Sequence, residues 1–175
     1  MEADDGVVFL RKIEPGWAEE VLKACGGNDL RYATGIADNE PHAAIMDKLM
    51  DKPAFKNRFA SCIFATDTRN RQDEAVGNLA GLVMGTLYNE TLWIRIFIII
   101  PRYRRKGIGS RAARLIFQRG KEVYGATEAM LSVAGENRAG FSFWAGQGFT
   151  EACRFYKPLF GDGQLHRVTI LRKTL

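Results

Sequence analysis

IIIPRYRRKGIGSRAARL, residues 98–115, joins the end of an apolar strand to the start of a helix. Pro101 has no N–H to donate to a β-ladder, so we expect the strand to end there. Gly107 and Gly109 have no Cβ, which lets a ligand approach the backbone closely. The first N–H groups of a helix have no intrahelical partner, and with the helix dipole they favour an anion. The stretch therefore predicts a strand, an anion-binding turn and a helix.

Positive charge is concentrated in this stretch and the helix that follows it. The chain has 175 residues with a formal net charge of +5, from 25 basic and 20 acidic residues. Residues 101–121 hold eight basic residues and no acidic one, which leaves 17 basic against 20 acidic residues elsewhere. Such a segment indicates either a polyphosphate site or a nucleic-acid-binding patch. We favour the polyphosphate, because nucleic-acid binding does not need the two glycines at a helix start.

Apolar patterns on both sides of this stretch predict a single α+β domain over residues 1–175. Helical patterns occupy residues 16–27 and 40–55, begin again at Gly107, and resume after Asn137, a good N-cap residue. Strand patterns occupy seven segments: 7–13, 61–67, 75–88, 91–100, 128–134, 149–158 and 164–175. Because a helix connects 91–100 to 128–134, we expect those two strands to be parallel and the others mostly antiparallel.

Two common phosphate-binding motifs fit this stretch poorly. A Walker loop is absent. Residues 107–112 match the GxGxxA dinucleotide fingerprint, but five residues separate Pro101 from Gly107, where a dinucleotide fold turns at once. The next strand also ends without a carboxylate for a ribose.

Arg104-x-x-Gly107-x-Gly109 resembles the acetyl-CoA motif of GNAT superfamily N-acetyltransferases, (Arg/Gln)-x-x-Gly-x-(Gly/Ala). LSVAGENRAGFSFWAGQGF, residues 131–149, is similar to the second motif of that family. The resemblance covers residues 60–175 well and residues 7–59 only in the order of elements. It implies a seven-stranded, mostly antiparallel sheet with two splayed parallel central strands and about four helices. It also implies acetyl transfer from acetyl-CoA to a primary amine on a small molecule, a peptide or a protein.

The resemblance also assigns acetyl-CoA to particular residues, without a metal ion. It implies that the backbone of Phe97, Ile98 and Ile99 pairs with the pantetheine arm, as an added strand would. Arg104 opens the motif, and the pyrophosphate is expected on the backbone of Arg105, Lys106, Gly107, Ile108, Gly109 and Ser110. Asn137 is expected to hydrogen-bond the cofactor, and Phe143 and Trp144 to lie along its thiol end.

The catalytic positions depart from the family pattern. Trp144 stands where a tyrosine often protonates the leaving thiolate, and an indole N–H has no useful acidity. Trp93 and Ser132 stand where family members carry the glutamate that acts as the general base. The remaining candidates are Tyr156 as acid, Glu90 as base with Glu136 and Glu151 as alternatives, and Ser132 as the anchor of a water chain. The thiolate could also leave without a protein acid, and a non-catalytic acyl-CoA-binding or sensor module stays open.

Other features of the sequence indicate the cellular location and the partners to expect. The three cysteines are odd in number and form no CxxC pair, which is typical of a reduced, intracellular protein. The N-terminus lacks the apolar region of a signal peptide. The longest apolar run, Leu92–Ile100, contains Arg95 and is about half the length of a membrane span. We therefore expect a cytoplasmic protein, a monomer or homodimer, without membrane or nucleic-acid partners.

Overall fold

A computed structural model describes residues 1–35, 57–66 and 77–175 of the chain. These residues form an eight-stranded sheet in the order β1–β2–β3–β4–β5–β6–β8–β7, together with four α-helices. The strands are β1 Ala3–Asp4, β2 Val8–Lys12, β3 Arg58–Ala65, β4 Asn78–Tyr88, β5 Thr91–Ile99, β6 Glu128–Ala134, β7 Thr150–Pro158 and β8 Leu165–Thr174. The helices are α1 Pro15–Ala24, α2 Gly27–Thr34, α3 Ile108–Tyr124 and α4 Arg138–Gly146, with a 3₁₀ turn at Pro101–Tyr103.

The α+β fold class predicted from the sequence is confirmed, with two differences in detail. The sheet has an eighth strand, β1, which pairs with β2 through Ala3 and Asp4. Two residues are too few to show a period of two, so no sequence pattern marks them. The glycines predicted to stop the first helix also start the second, because Gly26 is extended and α2 begins at Gly27. The predicted helix 40–55 lies outside the described residues.

β5 and β6 are parallel and part after four residue pairs, which confirms the predicted splay. Thr91–Ile94 pair with Glu128–Leu131, and both strands then continue without pairing to each other. A bulge in β5 coincides with the fork, since Gly85 of β4 lies opposite Ile94 and Met84 lies opposite Ile96. The extra residue is Arg95. A bulge bends and twists its strand, which explains why the two strands diverge here.

The sheet separates two apolar cores. The core against α3 and α4 includes Ile94, Ala112 and Ile116, and we call this side the α3 face. The core against α1 and α2 includes Leu22, Cys62 and Ile96, and we call this side the α1 face. Each fully buried aliphatic side chain contributes roughly 1.5–3 kcal/mol to stability. Within the described ranges, no helix is long and apolar enough to cross a lipid bilayer.

Candidate active site

The fork leaves one edge of β5 without a neighbouring strand among the described residues. On its other side, β5 pairs with β4 from Tyr88–Thr91 up to Gly81–Ile99. Beyond Ile94, the side toward β6 therefore presents peptide groups that no strand of the described chain pairs with. An extended ligand could pair with such an edge as an additional strand.

The chain turns sharply between this edge and α3. Arg105 and Gly107 both have left-handed backbone conformations, with φ angles of 60° and 78°. Gly107 is the N-cap of α3, and its carbonyl accepts the first intrahelical hydrogen bond, from the N–H of Arg111 at 3.0 Å. The N–H groups of residues 108–110 precede that bond, so they have no intrahelical acceptor. The turn therefore aims several backbone donors and the positive end of the helix dipole at one place.

The Arg104 side chain fixes the turn to the strand end and to α2. Its Nε donates to the carbonyl of Ile99 at 2.8 Å, and one Nη donates to Asp29 Oδ1 at 2.9 Å. Both side chains of the ion pair are more than a third exposed, so solvent screens the attraction. Sequence reasoning missed Asp29, because 75 residues separate it from Arg104 and nothing local marks the contact.

Gly109 and Ser110 hold α3 closely against the strand edge and α4. A Cβ on Gly109 would lie 3.3 Å from the Phe143 ring and 3.4 Å from the Ile99 side chain. The Ser110 hydroxyl accepts a hydrogen bond from Gln147 Nε2 at 3.1 Å. The predicted residues Ile99, Gly109, Ser110 and Phe143 thus meet at one place.

An aromatic cluster lies beside the fork on the α3 face. Phe97 lies 5.7 Å from Phe143 and 5.1 Å from Trp144 between ring centroids, and Phe149 lies 5.3 Å from Trp144. The Trp144 side chain is buried in the α3-face core. Asn137 caps α4 as predicted, since its Oδ1 accepts from the N–H of Gly140 at 2.8 Å. That leaves its amide nitrogen as the group that can donate to a ligand.

The family assignment follows from the sequence of this region. Residues 32–149, more than half of the chain, match the model of the Acetyltransferase (GNAT) family. The chain belongs to the GNAT family. None of the curated proteins matches this sequence.

Solved structures share the GNAT fold. The spermidine N-acetyltransferase from Vibrio cholerae in complex with CoA and spermine has a TM-score of 0.71 at 18% identity, over 97% of this chain and 96% of its own. An acetyltransferase of the GNAT family from Bacillus anthracis has a TM-score of 0.74 at 16% identity, over 99% and 98%. At such low identities, the similarity supports the fold alone.

GNAT proteins use acetyl-CoA, and the described residues fit that molecule. The open edge at Phe97–Ile99 leads directly into the left-handed turn at Gly107 and the start of α3. Arg105, Lys106 and Gly107 are exposed at this turn, so their backbone and charges face solvent. An extended arm could pair with the open edge, and a pyrophosphate at its end would then lie at the turn that directly follows this edge along the chain. Among the described residues, no group of His, Cys, Asp or Glu side chains is placed to hold a metal ion.

Of the three catalytic candidates, only Ser132 lies at the GNAT fork. It is exposed and directly follows Leu131, whose pair with Ile94 is the last before the strands part. Glu90 lies in the turn before β5, four residues before Ile94, so about 13 Å of extended chain separate it from the fork. Tyr156 lies on β7, the edge strand, and β8 stands between β7 and β6.

The alternative glutamates have other partners. Glu136 Oε1 lies 3.0 Å from His166 Nδ1, and the Glu151 carboxylate forms an ion pair with Arg154. A base must lie within about one water of the amine, and the exposed Glu90 stays a predicted candidate near the closed end of the fork. The positions of these candidates relative to the fork were not predictable from the sequence, because only the order of strands in the sheet shows which strand ends lie close together.

Proposed function

We propose that this protein transfers the acetyl group of acetyl-CoA to a primary amine. The observation that supports this best is the continuity between the open edge of β5 and the anion-binding turn at Gly107. A strand edge pairs with an extended amide-bearing arm, and a helix N-terminus binds a phosphate. Either feature alone is common, but their direct succession suits a CoA-type ligand.

The cofactor-binding residues have distinct parts in this proposal. The backbone of Phe97, Ile98 and Ile99 pairs with the pantetheine arm, and the Asn137 amide donates to it from β6's side. The backbone of Arg105, Lys106, Gly107, Ile108, Gly109 and Ser110 binds the pyrophosphate. Arg104 positions this turn through Ile99 and Asp29. Phe143 and Trp144 wall the thiol end and exclude water from it.

The proton chemistry follows from the groups at the fork. Acetyl-CoA supplies an activated thioester, and the acceptor nitrogen must lose a proton when it forms the new amide. The Ser132 hydroxyl can hold the water that takes this proton, because it is exposed beside the fork. The indole N–H of Trp144 orients a partner but donates no proton, so the thiolate leaves without an acid from this position. Proximity and backbone donors therefore supply most of the catalysis.

Calorimetry with CoA, followed by thiol release from acetyl-CoA with a panel of amines, tests the proposal. Binding with turnover of at least one amine is the expected result. Absence of CoA binding at millimolar concentration would reject the site, and binding without turnover of any amine would favour a sensor module.

A pair of glycine variants shows where CoA binds. Gly109→Val places a branched side chain against Phe143 and Ile99, and we expect it to abolish CoA binding. Gly146→Ala serves as the control, because a Cβ there meets open space. Equal CoA affinity in both variants would place the ligand elsewhere.

A further inference from the structure

A groove of about 600 Å³ lies on the α1 face, beside the fork. Its walls include Thr86 and Tyr88 from β4, Trp93 and Arg95 from β5, and Met130 from β6. Trp93 lies opposite both Thr86 and Met130 in the sheet, so these three side chains stand side by side. The groove therefore begins where β5 and β6 separate and extends toward the turn between β4 and β5.

Arg95 is the charged residue of this groove. It is exposed, and no described residue forms a hydrogen bond or an ion pair with its guanidinium. It is also the extra residue of the bulge, so it turns to the α1 face beside Ile96 while Ile94 and Phe97 face α3. No aspartate or glutamate is among the described residues that line the groove.

We propose that the acceptor amine carries a carboxylate that Arg95 binds, and an apolar body that packs on Trp93. This inference rests on the proposed acetyl transfer and names the substrate class of the same site. A guanidinium binds a carboxylate through two parallel hydrogen bonds, which also fixes its orientation. With the carboxylate on Arg95, an amine one or two carbons away lies next to the fork.

The same groove disfavours a polyamine acceptor. Spermidine would place ammonium groups beside the Arg95 guanidinium, and like charges side by side reduce affinity. The aromatic surfaces of Tyr88 and Trp93 suit an apolar side chain. The inferred class is therefore an amino acid, or a related small amine, with an apolar or aromatic side chain.

The experiment compares each apolar amino acid with its decarboxylated amine at saturating acetyl-CoA, using thiol release as the readout. Matched pairs are phenylalanine with 2-phenylethylamine, leucine with isoamylamine and tryptophan with tryptamine, and spermidine is included. For at least one pair we expect kcat/KM to be higher for the carboxylate form by about tenfold or more, which is the typical effect of a charge-assisted hydrogen bond. Arg95→Gln should remove that preference and leave the CoA affinity unchanged.

Arg11→Gln is the matched control. Arg11 is exposed on β2, three strands from β5, so Arg11→Gln removes the same charge far from the groove. Its carboxylate preference should equal that of the wild type.

The outcomes separate the two proposals. Failure to bind CoA contradicts the proposed function itself. CoA binding with a preference for the decarboxylated amines or spermidine, or a preference that survives Arg95→Gln, overturns only the inference about the acceptor. If no amine turns over, the binding of amino acids to the CoA-saturated protein is measured by thermal shift. No difference between wild type and Arg95→Gln in that measurement also overturns the inference.

Discussion

Gly107 is the residue on which the anion-binding turn depends. Its φ of 78° is a conformation that a side chain disfavours, and a Cβ there would meet no atom within 4 Å. Gly107→Ala should therefore reduce stability by roughly 1–2 kcal/mol through backbone strain alone. It should also weaken CoA binding, because relief of the strain moves the donors of the turn. Urea denaturation and calorimetry measure the two effects.

Gly146→Ala is again the control for that variant. Gly146 lies in α4 with a negative φ and open space around its Cβ position, so alanine should be neutral or stabilise by about 0.5 kcal/mol. Equal losses in the two variants would show that strain at Gly107 is not the cause.

Trp144 is a packing residue in this structure, and its variants should separate packing from proton transfer. Trp144→Ala removes a buried aromatic side chain that contacts Phe97, Phe143 and Phe149, and should cost roughly 3–5 kcal/mol of stability. Trp144→Phe keeps most of these contacts. Because the indole is not an acid, this variant should retain both kcat and its pH profile. Loss of one limb of the pH profile in Trp144→Phe would contradict this account.

At the scale of elements, the strand–turn–helix unit was the most predictable part of the molecule. Pro101, Gly107 and the helical pattern act within a few residues of one another, so their local chemistry fixes both ends of the turn. β1 and the Arg104–Asp29 contact were not predictable, because pairing between distant segments decides them. Arg95 did leave a signal, a charge inside an apolar strand, but only the bulge shows which face it takes.

The tie between the turn and α2 gives a prediction for Arg104. Arg104→Gln breaks the ion pair with Asp29 and the guanidinium hydrogen bond to Ile99. Because the pair is partly exposed, stability should fall by no more than about 1 kcal/mol. CoA affinity should fall more clearly, since the turn is no longer held to the strand end. Calorimetry at two salt concentrations measures it.

Arg119→Gln is the matched control for Arg104→Gln. Arg119 is exposed near the other end of α3, so Arg119→Gln removes the same charge without changing a contact of the turn. A comparable loss of CoA affinity in Arg119→Gln would mean that net charge, and not the position of the turn, determines binding.

At the scale of the molecule, the two faces of the sheet have different proposed roles. The α3 face supplies the helix start and the aromatic wall for the cofactor, and the α1 face supplies the groove for the acceptor. Among the described residues, the two meet at the fork, where β5 and β6 part beside Arg95. In the proposed reaction, the acyl group and the amine would therefore approach from opposite faces of the sheet.

A cluster around His166 connects α2, the end of β6 and the connection between β7 and β8. His166 Nδ1 lies 3.0 Å from Glu136 Oε1, and Nε2 lies 2.9 Å from Asp162 Oδ2, which also pairs with Arg31 of α2 at 3.1 Å. The hydrogen bond to Glu136 raises the pKa of His166 above its ordinary 6.5; partial burial opposes this, and Asp162 adds to the rise. The pKa of Glu136 is correspondingly lowered, chiefly by the hydrogen bond to His166.

The stability that this cluster contributes should depend on pH in both directions. The contribution of His166 is complete below pH 6.5 and is lost as the pH rises through the raised pKa of His166. The contribution of Glu136 is present above its ordinary pKa of 4.5 and is lost as the pH falls through its lowered pKa. The cluster should therefore stabilise the folded state most between pH 4.5 and pH 6.5. Urea denaturation should show that wild type loses more stability than His166→Gln between pH 6 and pH 8.5. The double variant His166→Gln/Glu136→Gln should follow the pH slope of His166→Gln, and an unchanged slope in His166→Gln itself would refute the assignment.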